Sequence, residues 1–357
     1  MNEYYIKKIY FELSNICNFR CDFCPITVSK RKKQFMEFGL FRKGIKEIHR
    51  VNITDTIGFH VLGEPLLYPR IYDAIECTKE MGLRAELTTN GSLLDESVVK
   101  NLIDLNIDKL SISLQTVCKR DHASRNSRLD FFDYYSRILH AIRQIYESGN
   151  EIEIEINLMN MITKRFFKID KDIRIYSTGR EYREMLIVLI HDLYSSLNEG
   201  LPHNKIRQRL RKTNVNLIKR IGINKQITIF IQPFVDWGNS FTSKKIYPAK
   251  FGLCSIAFRN TAVLSNGKLT ICCADYDGKT SYGSIRNHSI ISLLTSKKAR
   301  TLRHGFSRMR LLHSYCQNCF GSTTRLKTLL KSLLSIYYSK GPLKNGFAKI
   351  DRINLAA

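Results

Sequence analysis

The chain has 357 residues, 43% of them apolar, enough for one large domain or two ordinary ones. Its 57 Lys and Arg face 32 Asp and Glu, a formal net charge of +25. That balance favours nucleic acid, anionic lipid or phosphorylated substrates as partners, unless it only follows a Lys-rich overall composition. The opening MNEYYIKKIYFELSN has no continuous apolar signal region, and the longest apolar run, Met185–Ile190, falls far short of the ~18 residues of a membrane span. A cytoplasmic location is expected, and there ten cysteines argue for metal or redox chemistry before disulfides.

Taken in order, Ile6–Leu13 alternates in part and reads as a first strand that delivers the loop LSNICNFRCDFCP. Cys17, Cys21 and Cys24 stand in that loop at C-x3-C-x2-C spacing, with Phe23 beside the last. Three thiolates on one short loop can converge on one metal centre. Iron–sulfur clusters are usually held by four, so three leave one iron open, and an open site is where substrate chemistry occurs. A zinc site would want a fourth Cys or His at short range, and none follows Cys24 until His49.

A basic loop at Ser29–Lys33 and a helix around Phe38–Arg50 come next. Thr56–Leu62 reads as a second strand ending in Gly63-Glu64-Pro65, and Ile71–Met81 as a helix with Gly82 beyond its end. Arg84–Thr88 is a third strand running into Thr89-Asn90-Gly91, which alone is an ordinary turn signal. A helix over Glu96–Leu105 leads to a fourth strand, Lys109–Leu114, closed by Ser113 and Gln115. Phe131–Gly149 is an amphipathic helix. Glu151–Leu158 alternates strictly, as a half-exposed strand does, its glutamates facing solvent or a lumen. Beyond Met159 the pattern weakens to helical stretches around Glu181–Leu197 and Asn204–Ile221, the second of them basic. Gln226–Pro233 is a sixth strand.

In the last third, VLSNGKLTICC reads as a hairpin turning at Asn266-Gly267, with Cys254 before it and Cys316-x2-Cys319 after it. Four thiolates there would close a second centre, either a cluster or a four-cysteine zinc site. Cys272 and Cys273 compete for one ligand position, and Cys77, Cys118 and Cys273 read as buried small residues. Finally Leu326, Leu329, Leu330, Leu333, Leu334 and Tyr337 form an apolar stripe among Arg325, Lys327, Lys331 and Lys340. Such a helix packs on its own domain or lies on a membrane surface.

The cysteine motif, with its aromatic before the third cysteine, resembles the radical S-adenosylmethionine (SAM) superfamily. The resemblance implies that SAM chelates the open iron and that one electron cleaves it to methionine and a 5′-deoxyadenosyl radical, which abstracts a substrate hydrogen. It implies an α/β fold, a partial (β/α)6 TIM-like barrel with a small C-terminal β-hairpin/helix cluster-binding module. It further implies SAM contacts from Phe23, from Gly63, Glu64 and Pro65 (Leu62 replacing the first glycine of the usual GGEP), and from Asn90, Ser113 and Arg125, with Arg120 and Arg128 as competitors for the last role. Cys254, Gly267, Cys272, Gly283, Cys316 and Cys319 resemble the SPASM/twitch module in its one-cluster form, because no cysteine follows Cys319. That pattern favours Cys272 over Cys273 as ligand, and its layout is like the 2-deoxy-scyllo-inosamine dehydrogenase type, which oxidises an aminocyclitol alcohol to a ketone.

The expectation is therefore a barrel over 1–240 with a helical insertion at about 160–225, a cluster module over 241–321 and a basic amphipathic tail over 322–357. The cofactors would be SAM, a 4Fe-4S cluster on Cys17, Cys21 and Cys24, and one auxiliary 4Fe-4S cluster on Cys254, Cys272, Cys316 and Cys319. The substrate would be a sugar or cyclitol alcohol, free, nucleotide-linked or lipid-linked. A ferredoxin- or flavodoxin-type donor would supply electrons, and the C-terminal helix would offer a peripheral membrane contact. Two alternatives stand beside it: a SPASM-type maturase acting on a peptide, and a basic zinc protein that binds nucleic acid. His60 and Glu155 are the candidates for a base, but each reads better as structural, so no catalytic base is assigned.

Overall fold

The computed structural model describes residues 5–160, 179–211, 213–215, 219–234, 236–340 and the backbone of 352–354. The expected insertion at 160–225 and tail at 322–357 fall partly outside these residues.

Six strands run parallel in one sheet: β1 (Lys8–Phe11), β2 (Thr56–Phe59), β3 (Arg84–Thr89), β4 (Lys109–Gln115), β5 (Glu153–Asn160) and, after β6 (Lys219–Gly222), β7 (Ile227–Pro233). Amphipathic helices at Phe38–Val51, Ile71–Glu80, Glu96–Asp104 and Phe131–Glu147 return the chain between the first five strands. Each buries an apolar stripe against the sheet, as Val99 and Leu102 or Ile138, Ala141, Ile142 and Ile145 do. Side chains dictate the ends: Asp95 accepts from the Val98 amide and Asp130 from the Phe132 amide, while Asn52 stops the first helix in the left-handed conformation. This is the TIM-like barrel architecture expected, left open.

The sheet carries further strands. β8 (Asn260–Val263) pairs parallel with β1, and β9 (Lys268–Thr270) and β10 (Gly283–Ser284) follow antiparallel. At the other edge β6 pairs antiparallel with β7, and β11 (Arg352–Asn354) lies parallel to β6. The full order is β10-β9-β8-β1-β2-β3-β4-β5-β7-β6-β11. The C-terminal hairpin thus continues the barrel sheet, with Lys8 opposite Asn260 and Phe11 opposite Val263.

Two expectations are corrected. The stretch Asn204–Ile221 is a helix only over His203–Leu210; Lys219–Gly222 pairs as β6, because Ile221 finds a buried place opposite Ile229. β5 is not half-exposed: seven of its eight residues are buried, and Glu155 turns inward to pair with Lys109 at 2.9 Å and Arg220 at 2.8 Å. A buried carboxylate needs such partners, and they leave Glu155 committed to ion pairs.

Candidate active site: two groups of cysteines on one sheet

The loop leaving β1 carries the first group, over the C-terminal ends of the strands, where barrel enzymes place their chemistry. Cys21 is buried, with Cys17 and Cys24 partly so, and none is in a disulfide. Burial raises all three thiols, Cys17 to about 11 and Cys24 to about 12; neighbouring thiols add to the rise at Cys17 and Cys24, while Arg125 opposes it at Cys21. Three neighbouring thiols whose ionisation is disfavoured suit a cationic centre that would hold them as thiolates. The Cys17 sulfur already receives two donors, the Phe19 amide at 3.4 Å and Asn90 Nδ2 at 3.8 Å.

The Gly63-Glu64-Pro65 turn after β2 backs directly onto this loop. Gly63 has φ +84, and a Cβ there would meet Ser14 O at 2.4 Å and Ile16 O at 2.8 Å, so only glycine permits the approach. The Glu64 amide donates to Ile16 O at 2.8 Å. The Glu64 carboxylate, 1% exposed, accepts from Thr89 Oγ1 at 2.7 Å, the Asn90 amide at 2.7 Å and the Leu66 amide at 3.1 Å. Burial outweighs these donors and lifts its pKa to about 6. Pro65 opens a short 3-10 turn. Asn90 Nδ2 also donates to Asn18 Oδ1 at 2.8 Å, so the Cys17, Gly63 and Asn90 loops interlock. Phe23 is buried in the core beside them.

Arg125 is among the largest fully buried side chains. Its Nη1 donates to Ser113 O, to Leu114 O at 2.8 Å and to Tyr134 Oη at 2.9 Å, and its guanidinium lies 4.8 Å from the Phe19 ring. Burial pulls its pKa down, but the charges of Tyr134 and Cys21 outweigh that and leave it raised. The cation therefore sits beneath the cysteine loop, with Ser113 engaged through its carbonyl. Sequence reasoning missed this anchoring role, and missed Tyr134 and Asn18 altogether; an arginine followed by a strongly amphipathic helix was the available signal. His60, just past β2, has a buried Nδ1 with no hydrogen-bond partner among the described residues, and burial lowers its pKa to about 4.

The second group forms where the hairpin meets the Ser314–Phe320 helix. Cys254, Cys272 and Cys316 pack in one small core with Ile271, Leu302 and Phe306. Burial raises the Cys272 and Cys316 thiols, the charges of Cys254 and Cys319 add to the rise, and burial pushes Cys319 up to about 12. Cys273 points the other way, into a separate cluster with Val61, Ala262, Leu264 and Tyr10. Consecutive residues leaving a strand face opposite sides, which divides the two cysteines that sequence left in competition. The structure brings Cys254, Cys272, Cys316 and Cys319 together and sets Cys273 apart. Cys77 lies in the barrel core, far along the second helix.

Among the described residues, no three His, Cys, Asp or Glu side chains close on a single metal ion. A cubane cluster spreads its thiolates over separate iron corners, and groups of three and four thiols are the donor sets that would hold one. Beside the second group, Gly238, Ser240, Lys279, His313, Ser314, Tyr315 and Asn318 line an open cavity of about 410 Å³. No helix among the described residues is long and apolar enough to cross a membrane.

Comparison with known proteins agrees with this geometry. The radical SAM superfamily model matches residues 11–169, and the SPASM iron–sulfur cluster-binding domain matches 254–320. An uncharacterized protein of Methanocaldococcus jannaschii is 29% identical over 214 residues, 60% of this chain and 61% of that one. The S-adenosyl-L-methionine-dependent 2-deoxy-scyllo-inosamine dehydrogenase of Niallia circulans is 32% identical over 108 residues, 29% of this chain and 43% of that one. An S-adenosylmethionine-dependent nucleotide dehydratase of Flammeovirga pacifica is 30% identical over 159 residues, 42% of this chain and 52% of that one. The chain thus spans less than two thirds of the length of each of these relatives. In fold it is similar to BtrN, solved with AdoMet and 2-DOIA, at a TM-score of 0.51 and 17% identity over 87% of this chain and 89% of that one. With both models matched in the expected order, the chain carries a radical SAM superfamily domain over residues 11–169 followed by a SPASM iron–sulfur cluster-binding domain over 254–320, domains that imply SAM and 4Fe-4S clusters as cofactors.

Proposed function

We propose that this protein cleaves SAM reductively, abstracts a hydrogen atom from an alcohol-bearing carbon of a sugar or cyclitol, and oxidises that carbon to a ketone. The observation that carries this reading is the direct pairing of β8 with β1, which fixes the second cysteine group on the same sheet as the first. SAM and its cluster would supply the hydrogen-abstracting radical, and an auxiliary cluster on Cys254, Cys272, Cys316 and Cys319 would take the second electron.

The chain's own residues would do the holding and orienting. Cys17, Cys21 and Cys24 supply thiolates, Asn90 and the Phe19 amide donate to Cys17, and Arg125 secures the loop from beneath. Gly63, Glu64 and Pro65, with Phe23, Asn90 and Ser113, would contact SAM. Glu64 acts by fixing the Asn90 loop, since its oxygens are taken by Thr89, Asn90 and Leu66. His60 is neutral at physiological pH, but its enclosed Nδ1 and lowered pKa of about 4 make it a poor base, so the hydroxyl proton would leave to solvent water. A ferredoxin- or flavodoxin-type donor would supply the first electron.

The dehydratase relative supports a second outcome from the same start, in which the substrate radical loses water instead of an electron. Anoxic incubation with SAM, reductant and a panel of cyclitols, sugars and nucleotides separates the two. The first reading predicts one 5′-deoxyadenosine per ketone at a mass loss of two hydrogens; a mass loss of water contradicts it and supports the second.

A further inference from the structure

The helix Arg325–Lys340 is built inside out. Its inward face is hydroxylic: Thr328 Oγ1 donates to Tyr247 O at 2.9 Å, Ser335 Oγ accepts from the Leu253 amide at 3.1 Å, and Ser339 Oγ donates to Leu253 O at 3.1 Å. Thr328 and Ser332 are the buried residues of the helix. Its outward face is leucine. Leu326 is 67% exposed, Leu330, Leu333 and Leu334 are each 50%, Leu329 is 44% and Tyr337 is 64%. At 1.5 Å per residue this stripe runs for about 16 Å along the surface. A stripe of that size left in water marks a contact surface.

Charge says what kind of surface it contacts. From Gly278 to Ile350 the sequence holds fourteen Lys and Arg and no Asp or Glu. Arg325 and Lys340 are exposed at the two ends of the stripe, and Lys327 is half-buried at its flank. An apolar face bordered by cations, without a carboxylate on the helix, complements the anionic headgroups and acyl chains of a bilayer surface. A nucleic acid would match the cations but leave the leucines in water.

We propose that the Arg325–Lys340 helix lies in the plane of an anionic membrane interface and holds the protein there peripherally. Farther along the chain, β11 pairs with β6 at the far edge of the sheet. The proposal is independent of the SAM chemistry and is tested without turnover.

The experiment is co-sedimentation of the full chain, purified anoxically with its iron, with vesicles of phosphatidylcholine alone or with phosphatidylglycerol. Wild type is expected to pellet with the anionic vesicles and to be released by salt. Leu329→Glu with Leu333→Glu, at exposed positions, should lower partitioning at least about tenfold, and Arg325→Gln with Lys327→Gln should lower it several-fold. Circular dichroism checks that the variants fold; should the first pair fail to fold, Leu326→Ser with Tyr337→Ser must show the same loss. Wild type remaining in the supernatant overturns the proposal. So does binding that the leucine substitutions leave unchanged, binding of a single-stranded RNA oligonucleotide in place of vesicles, or a dimer that the same substitutions dissolve.

Discussion

The two cysteine groups are assembled by opposite strategies. Cys17, Cys21 and Cys24 lie within one loop, and distant parts of the chain come to support it: Gly63 and Glu64 after β2, Asn90 after β3, and Arg125 from beyond β4. Cys254, Cys272, Cys316 and Cys319 come from distant segments, and the fold itself gathers them through the β8–β9 hairpin and the Ser314–Phe320 helix. The first group offers three thiols and the second four. On the proposed function, an incomplete set would leave an iron for SAM, and a complete one would protect a cluster that only passes electrons. The difference would then show how one sheet can carry a reactive centre and an electron acceptor by varying only how many thiols it gathers.

Substitutions should separate the two roles, and the largest effect belongs to the first group. Cys21→Ala is expected to halve the iron content and abolish 5′-deoxyadenosine formation, a loss of at least about a thousandfold. Liquid chromatography of the reductive SAM-cleavage reaction is the measurement. Cys316→Ala should also halve the iron yet leave SAM cleavage within about tenfold of wild type while ketone formation disappears; equal loss of both products would merge the two roles. Gly63→Ala probes the support of the loop. Its Cβ would meet backbone oxygens at 2.4 and 2.8 Å, in a backbone conformation that side chains rarely adopt. The variant should lose about 3 kcal/mol of stability or more, read by denaturant unfolding.

The smallest effect is a pH dependence from His122, which packs against Phe19, Phe131 and Tyr134 beneath the first group. Neither ring nitrogen has a hydrogen-bond partner among the described residues, and burial lowers its pKa to about 4 from an ordinary 6.5. Below pH 6.5 the unfolded chain binds a proton that the folded chain refuses, so this site's contribution is full above 6.5 and declines as pH falls toward 4. His122→Phe should flatten that decline by on the order of 2 kcal/mol, after allowance for solvent screening. An unchanged slope in thermal melts at pH 7 and pH 4.5 would remove His122 as its source.

Legibility in the sequence followed the same division. The triad, the Gly63-Glu64-Pro65 turn and the parallel strands β1 to β5 rest on local spacing and alternation, which a single sequence displays. Pairings between distant segments are not displayed, so nothing announced that β8 would lie beside β1 or that Lys219–Gly222 would leave a helical pattern to pair with β7. Arg125 looked like an exposed ligand contact, because burial of a guanidinium beneath a loop depends on carbonyls from β4 that local patterning cannot locate. The leucine stripe was visible, but which face of its helix meets the protein was decided by hydroxyl contacts to the Tyr247–Leu253 segment.

The central claim is two clusters with different jobs on one sheet, and iron with acid-labile sulfide per chain after anoxic purification and reconstitution tests it most directly. The account predicts about eight irons and eight sulfides for wild type and about four for either cysteine variant. About four in wild type, with zinc on the second group, would contradict it and leave the substrate radical without its electron acceptor.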